Sequence, residues 1–392
     1  MRSVVVLSGA RTAIGDYGGA LKDQAPATLA ASVVREAVAR ANIDPYKVEH
    51  LVAGHVIPTE AQDMYLARVA ALTAGLPQSV AALTLNRVCG SGLQAIISAS
   101  QTILLGDTEV AIAAGAESMS RGGYLLPALR WGQRMQNSNA IDMMVGALTD
   151  PFDHIHMGVT AENIARKWSI TREQQDQFAL ESHRRAIHAI YNGYFREQIV
   201  PIETATRAGS ILFDTDQHPR DKISMEILTK LRPAFQEDGT VTAGNASGIN
   251  DGAAALVLME EQAAAQNNHQ PMARLVAYGH AGVDPRYMGI GPVPAVRQAL
   301  NRAGLKLADM DVIESNEAFA VQACAVAREL DFDPKKTNPN GGAVALGHPV
   351  GASGCILAIK AIYELQRIHG RYALVTLCIG GGQGIAAIFE RL

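Results

Sequence analysis

From Val34 onward, stretches of the chain recur without gaps 262 positions later, and this repetition restricts the fold more than any other feature of the 392 residues. Val34-Arg35-Glu36-Ala37-Val38-Ala39-Arg40-Ala41-Asn42-Ile43 lies over Val296-Arg297-Gln298-Ala299-Leu300-Asn301-Arg302-Ala303-Gly304-Leu305. Both read as an amphipathic helix running into a turn. At the same offset the strand pattern Glu49–Gly54 falls on Asp311–Asn316, and Ser91-Gly92 falls on Ser353-Gly354 at two helix starts. The strand pattern Val110–Gly115 then meets Tyr372–Leu377. Solenoid units run to about 20–50 residues, so a period this long is that of a duplicated domain. Each half alternates strand and helix. The fold class is therefore α/β, with mostly parallel sheets covered by helices and the halves related by a pseudo-twofold axis.

Between the halves lies a stretch of different texture with no counterpart, which predicts an insertion. Residues 1–119 with 248–270 form the first half, 120–247 the inserted loop domain, and 271–392 the second half. Gly252–Met259 reads as a strand returning to the first sheet. Within the insertion, Thr171 and Gln174 form a capping box ahead of a helix whose apolar stripe is Phe178, Ile187 and Ile190.

The balance of 34 basic and 38 acidic residues leaves a net charge of −4, which offers no footprint for nucleic acid or an anionic membrane. No apolar run approaches the roughly 18 residues of a membrane span. The opening Val4-Val5-Val6-Leu7 run is too short for a signal sequence and predicts a buried strand, hence a cytoplasmic address. Cys89, Cys324, Cys355 and Cys378 are scattered, so reduced thiols are expected. His154, His156, His183, His188 and His218 lack metal-ligand spacing, no metal is expected, and no GxSxG serine motif follows a strand.

Chemistry gathers at glycine-punctuated seams. Cys89 stands between the apolar run Val80–Leu85 and a helix-like run Leu93–Leu105. At a helix N-terminus the free N–H groups and the macrodipole favour an anion, so its thiol pKa is expected to fall. The competing reading is a small buried hydrophobe. His348 precedes the helix that the repeat matches to the one behind Cys89, so the two converge if equivalent helix starts face each other across the axis. A histidine there can take the thiol proton, although a lone histidine can equally be a core residue. Cys378 ends an apolar strand and opens the tract Gly380-Gly381-Gly382-Gln383-Gly384, whose N–H groups could form an anion-binding nest, or simply a turn after an inert cysteine.

Taken together, Asn86-Arg87-Val88-Cys89-Gly90-Ser91-Gly92, Asn316-Glu317-Ala318-Phe319, Gly347-His348-Pro349 with Gly351-Ala352-Ser353-Gly354, and Cys378 with its glycines resemble the four signature blocks of the thiolase family, in order. Arg11-Thr12-Ala13-Ile14-Gly15 and Thr242-Ala243-Gly244-Asn245-Ala246-Ser247 also fit. The resemblance covers the whole chain. It implies layered αβαβα halves with mixed, mostly parallel sheets and a loop domain that holds coenzyme A. It makes Cys89 the acyl-accepting nucleophile, His348 its base, and Cys378 the acid/base for the α-carbon of acetyl-CoA. Asn316 with His348 would stabilise one oxyanion through a water, and the N–H groups of Cys89 and Gly380 the other. It places Arg220 at the nucleotide end of CoA and Ser247, Ala243 and Gly244 along the pantetheine. Leu148, His156, Met157, Phe235, Ala318, Phe319 and Met288 would line the substrate tunnel.

The implied activity is that of a short-chain, biosynthetic β-ketothiolase: ping-pong condensation of two acetyl-CoA, and thiolysis in reverse. CoA thioesters are then substrates, with no cofactor and a homotetramer built from dimers. A degradative thiolase for longer chains and an inert acyl-CoA-binding protein are the alternatives. Tyr17, His55 and Gly122-Gly123 depart from the family's usual residues.

Overall fold

The computed structural model describes residues 2–206 and 209–392. In the first half, β1 (Val4–Thr12) leads to α1 (Pro26–Arg40), then to β2 (His50–Gly54), β3 (Ala81–Leu85), α2 (Ser91–Leu105) and β4 (Val110–Ser118). The insertion carries α3 (Met157–Lys167) and α4 (Arg172–Tyr191), and β5 (Asn250–Glu260) follows it. The second half runs β6 (Ala273–Gly282), α5 (Pro292–Ala303), β7 (Val312–Ser315), α6 (Ala320–Leu330), α7 (Ser353–Ile368), β8 (Tyr372–Ile379) and β9 (Gln383–Arg391).

The strands lie in the order β7-β8-β9-β6-β1-β5-β4-β2-β3. The two halves meet through a short antiparallel contact between β1 and β6, and from that seam outward the orders β1-β5-β4-β2 and β6-β9-β8-β7 mirror each other. β2 is parallel to β3 and β4, and β7 is parallel to β8. β5 and β9 are antiparallel to both their neighbours. Each half therefore has one reversed strand among strands that otherwise share a direction. The sheets are mixed, as the resemblance implies, but five of the eight contacts along this order are antiparallel, because each reversed strand makes two and the seam a fifth. The alternation of strand and helix conceals the reversed strands, because neither reaches its neighbour through a crossover helix.

The repeat breaks at one place. The positions matching β3 form a helical turn, Ala343–Leu346, and a single parallel bridge from Ile313 to Thr337 stands beside β7. The reversed strands mark a second contrast. In the first half, β4 and β5 pair up to Ser118–Asp251, so the whole insertion joins two neighbouring strands. In the second half, β8 and β9 are joined at the corresponding place by Gly380-Gly381-Gly382 alone.

Helices α2 and α7 lie back to back between the two sheets, and their buried faces share one core with both. A Cβ on Gly354 would stand 2.0 Å from the Leu93 nitrogen, and one on Gly92 would stand 2.7 Å from the Cys355 nitrogen. Only glycine permits this approach. The Cys355 thiol donates to the Gly92 carbonyl at 3.1 Å across the same seam. α1 covers the outer face of the first sheet and α5 that of the second, which completes five layers. The window Val88–Leu105, with mean hydropathy 1.4, is long and apolar enough for a membrane span by composition. Its place in the central layer accounts for that composition.

In α4 the capping box forms as expected, with Thr171 Oγ1 accepting from Gln174 N and Gln174 Oε1 from Thr171 N. Its buried face differs from the expected stripe. Gln175, Asp176, Ala179, Ser182, His183, Ala186 and Ala189 are buried, while Phe178, Ile187 and Ile190 are half-buried. The helix packs through small and hydrogen-bonded residues: Ser182 donates to Glu317, and Asp176 accepts from Asn245.

Candidate active site

The start of α2 shapes the Cys89 turn. Ser91 Oγ accepts from Arg87 N and donates to Val88 O, Asn86 Oδ1 accepts from Val88 N, and Val88 is held at φ +47°. A β-branched residue in that region is strained by about 1–3 kcal/mol, which the surrounding bonds must offset. The turn lifts Cys89 out of the helix towards a cavity of about 370 Å³.

The second half supplies His348 to the same cavity. Gly347 lies at φ +103°, where a Cβ would also stand 2.5 Å from the Asn250 amide, so the position needs glycine, and Asn250 Oδ1 accepts from His348 N. The Ser353 hydroxyl donates to Pro349 O and lies 2.6 Å from His348 Nδ1. Its single proton is thus engaged, so Nδ1 is assigned the ring proton and Nε2 is left as a lone pair. Asn316 Nδ2 lies 3.3 Å from that nitrogen. The loop bearing Asn316 is pinned from behind: Asn338 brackets Ser315, and buried Glu317 accepts from Ser182, Asn338 and Val344.

Burial sets the protonation states. It pushes the Cys89 thiol up to about 11, opposed by the N–H groups of Gly380 and of Cys89 itself, with a small further rise from Glu117. It pushes the His348 imidazole down to about 4 and raises the Cys378 thiol, to which the charge of Cys89 adds. The expected fall of the Cys89 pKa is therefore corrected. A helix N-terminus is worth about 0.3–1 kcal/mol to an anion, whereas full desolvation can move a pKa by roughly 3–5 units. Burial thus favours a neutral thiol and a neutral imidazole at rest.

Cys89, His348, Cys378 and Gly380 all line the cavity, as do Leu148, His156, Met157, Arg220, Phe235, Ala243, Ser247, Met288, Ala318 and Phe319. Phe235 and His156 stack at 4.7 Å, and Met157, Met288, Ala318, Phe319 and Cys378 share one apolar cluster that fastens the insertion to the second half. Two expected residues do not line it. Asn316 stands behind His348, in contact with its Nε2, and Gly244 faces Leu228 and Leu231. The sequence reading missed Val88, which lines the cavity, and the support residue Asn250, a buried amide where the apolar strand β5 begins. It also weighed His218 only as a metal ligand, whereas His218 lines the cavity beside Arg220 and pairs with Asp16.

Comparison with known proteins places the chain in a family. The profile described as thiolase, N-terminal domain, matches residues 4–262, and that described as thiolase, C-terminal domain, matches residues 269–391. The chain is 63% identical to the beta-ketothiolase BktB of Cupriavidus necator over the full length of both. It superposes on the crystal structure of the Bacillus anthracis acetyl-CoA acetyltransferase with a TM-score of 0.98 at 48% identity, covering 100% of this chain and 99% of that one. It superposes on human mitochondrial 3-ketoacyl-CoA thiolase in complex with CoA with a TM-score of 0.96 at 43% identity, covering 100% and 98%. With both domain profiles matched in order and the fold shared end to end, this chain belongs to the thiolase family.

Proposed function

We propose that the protein is a β-ketothiolase that condenses two acetyl-CoA to acetoacetyl-CoA and free CoA, and cleaves short 3-ketoacyl-CoA in reverse. One observation carries this reading: two thiols and a lone-pair imidazole nitrogen, supplied by both halves, meet at one cavity with the Gly380 N–H facing Cys89. Its relatives' names agree with it.

The resting thiol holds its proton more tightly than the imidazole would, so the proton moves as the carbon–sulfur bond forms. Cys89 sulfur attacks the thioester carbonyl while His348 Nε2 takes its proton. The N–H groups of Cys89 and Gly380 receive the oxyanion. Collapse expels CoA, whose sulfur takes the proton of Cys378. The Cys378 thiolate then removes an α-proton from the second acetyl-CoA, and the enolate oxygen is held by His348 and a water on Asn316. The enolate carbon attacks the acyl-Cys89 carbonyl, and the departing Cys89 sulfur recovers its proton from His348. Every bond is made by side chains and substrate thioesters, so the scheme calls on no cofactor. Leu148, Phe235, Met157 and Met288 give the acyl group and pantetheine an apolar sleeve, while Arg220 offers a formal positive charge among the described cavity residues, for the nucleotide phosphates.

A homotetramer is part of the proposal. The Tyr124–Leu125 and Ile141–Asp142 pair closes an arm whose Leu129, Trp131 and Met135 are exposed, and contact with another copy would cover them. The test is intact mass after brief exposure to acetyl-CoA, with digestion to place the adduct. Acetylation of Cys89 is expected, and an adduct on another cysteine, or none, would sink the mechanism. A thiolysis series over acyl length decides between short-chain and longer-chain preference, since each methylene is worth about 1–3 kcal/mol.

A further inference from the structure

Behind Cys89, away from the cavity, lies a buried cluster that the mechanism does not use. His55 follows β2 and is 4% exposed, and it faces Glu117 at the end of β4, 0% exposed, and Asp63 in the 61–65 turn, 1% exposed. Its Nδ1 lies 2.9 Å from the Ala116 carbonyl and 3.2 Å from Glu117 Oε1, so that nitrogen carries a proton. Among the described residues its Nε2 has no hydrogen-bond partner, and it stands 3.8 Å from Asp63 Oδ2. A neutral imidazole would aim a lone pair at a buried carboxylate there, while an imidazolium aims an N–H at it. Among the described residues the neighbouring loops add no other buried cation: Gly351 packs its backbone on His55 and Glu117, and Arg121, at the rim, is paired with Glu60. Two carboxylates removed from water need a counter-charge.

Glu117 also joins the halves. It accepts from Val56 N and Ile57 N in the first half and from Gly351 N in the loop that carries His348. Ile57, which donates to this carboxylate, and Met119, two residues beyond it, belong to the apolar cluster against which Cys89 packs, so the charge of Glu117 lies close enough to oppose a Cys89 thiolate.

We propose that His55 is an imidazolium that compensates Glu117 and Asp63 and so acts as a positioning residue for Cys89, making the nucleophile easier to ionise. Burial, the largest single influence on His55, pushes its pKa down, but the hydrogen bond and charge of Glu117, the Ala116 carbonyl and the charge of Asp63 together carry it above the ordinary value. The inference rests on Cys89 being the nucleophile.

The experiment is the rate of Cys89 alkylation by iodoacetamide, read by peptide mass against pH, in the full-length protein, His55→Asn and His55→Asn/Asp63→Asn. Asparagine keeps a donor for Ala116 and removes the charge. Asp63→Asn leaves Oδ2 to accept from Thr59 and Glu60 and changes only Oδ1, which has no partner. We expect His55→Asn to slow alkylation about three- to tenfold near neutral pH, the size of up to one pKa unit, and the double variant to recover part of that rate. Cys89 alkylated equally fast in His55→Asn, or no recovery in the double variant, overturns the inference. No alkylation of Cys89 even in the unaltered protein defeats the nucleophile assignment instead. If His55→Asn does not fold, imidazole nitrogen NMR of the unaltered protein at pH 8 decides. A doubly protonated ring that loses its proton at lower pH in Asp63→Asn supports the proposal, and the absence of such a ring overturns it.

Discussion

Each half of the molecule ends in the same pair of antiparallel strands, yet the two connections between them have opposite designs. In the first half the link from β4 to β5 holds residues 119–249 and brings Leu148, His156, Met157, Arg220, Phe235 and Ser247 to the cavity. In the second half the link from β8 to β9 is Gly380-Gly381-Gly382, with φ +79° at Gly381 and +82° at Gly382. In the proposed scheme the long connection recognises the substrate, and the short one fixes a donor beside Cys378. Both connections reach the same cavity. The same asymmetry extends to the reacting groups. At the repeat offset Cys89 falls on Gly351, His348 on Asn86, Asn316 on Gly54 and Cys378 on Ala116, so none of the proposed catalytic groups is duplicated.

The comparison breaks most completely at Cys89. Cys89→Ala should lower condensation by at least about 10⁴-fold and leave no acyl adduct by intact mass. Next, His348→Asn gives the second half the residue that the first half has there. Acylation should fall about 10²–10⁴-fold, read by single-turnover release of CoA. Because His348 is held down to about 4, the unaltered enzyme should keep its base unprotonated across neutral pH, and an acid limb of acylation should appear only as pH falls towards that value. Asn316→Ala should cost about a hundredfold in kcat, with a much smaller change in KM, if its water serves an oxyanion. For the glycine link, a Cβ on Gly382 would meet the Val283 carbonyl at 2.4 Å in a backbone region that favours glycine. Gly382→Ala should therefore destabilise by more than about 1 kcal/mol, seen as a lower Tm. The smallest effect belongs to the long connection: Arg220→Ala should raise KM for acetyl-CoA several-fold with kcat nearly unchanged, and salt should narrow the difference.

Much of this was legible in the sequence because it depends on pattern. The offset repeat predicted paired helix starts, and the glycine-flanked Cys89, His348 and Cys378 were found without side-chain geometry. What stayed hidden depends on solvent and on long-range contact. Periodicity cannot show that β5 and β9 run backwards, since direction follows from where the chain has come from. Helix polarity suggested an acidic Cys89, but the weight of desolvation is visible only once the cavity is closed. The buried face of α4 is polar because Glu317 and Asn245 reach it from elsewhere in the chain. A hydrophobic count has no access to those partners. Val88 looks like any strand-end valine until its φ is known.

The glycine crossing of α2 and α7 has an evolutionary consequence. Gly92 lies three residues after Cys89, and Gly354 six residues after His348. Their missing side chains hold the helix axes together, so the spacing of nucleophile and base is recorded as absent atoms. A side chain gained in either copy would wedge the other copy's reacting group away. After duplication the halves were free to diverge in what they contribute, but at this crossing each has had to stay small on the other's behalf.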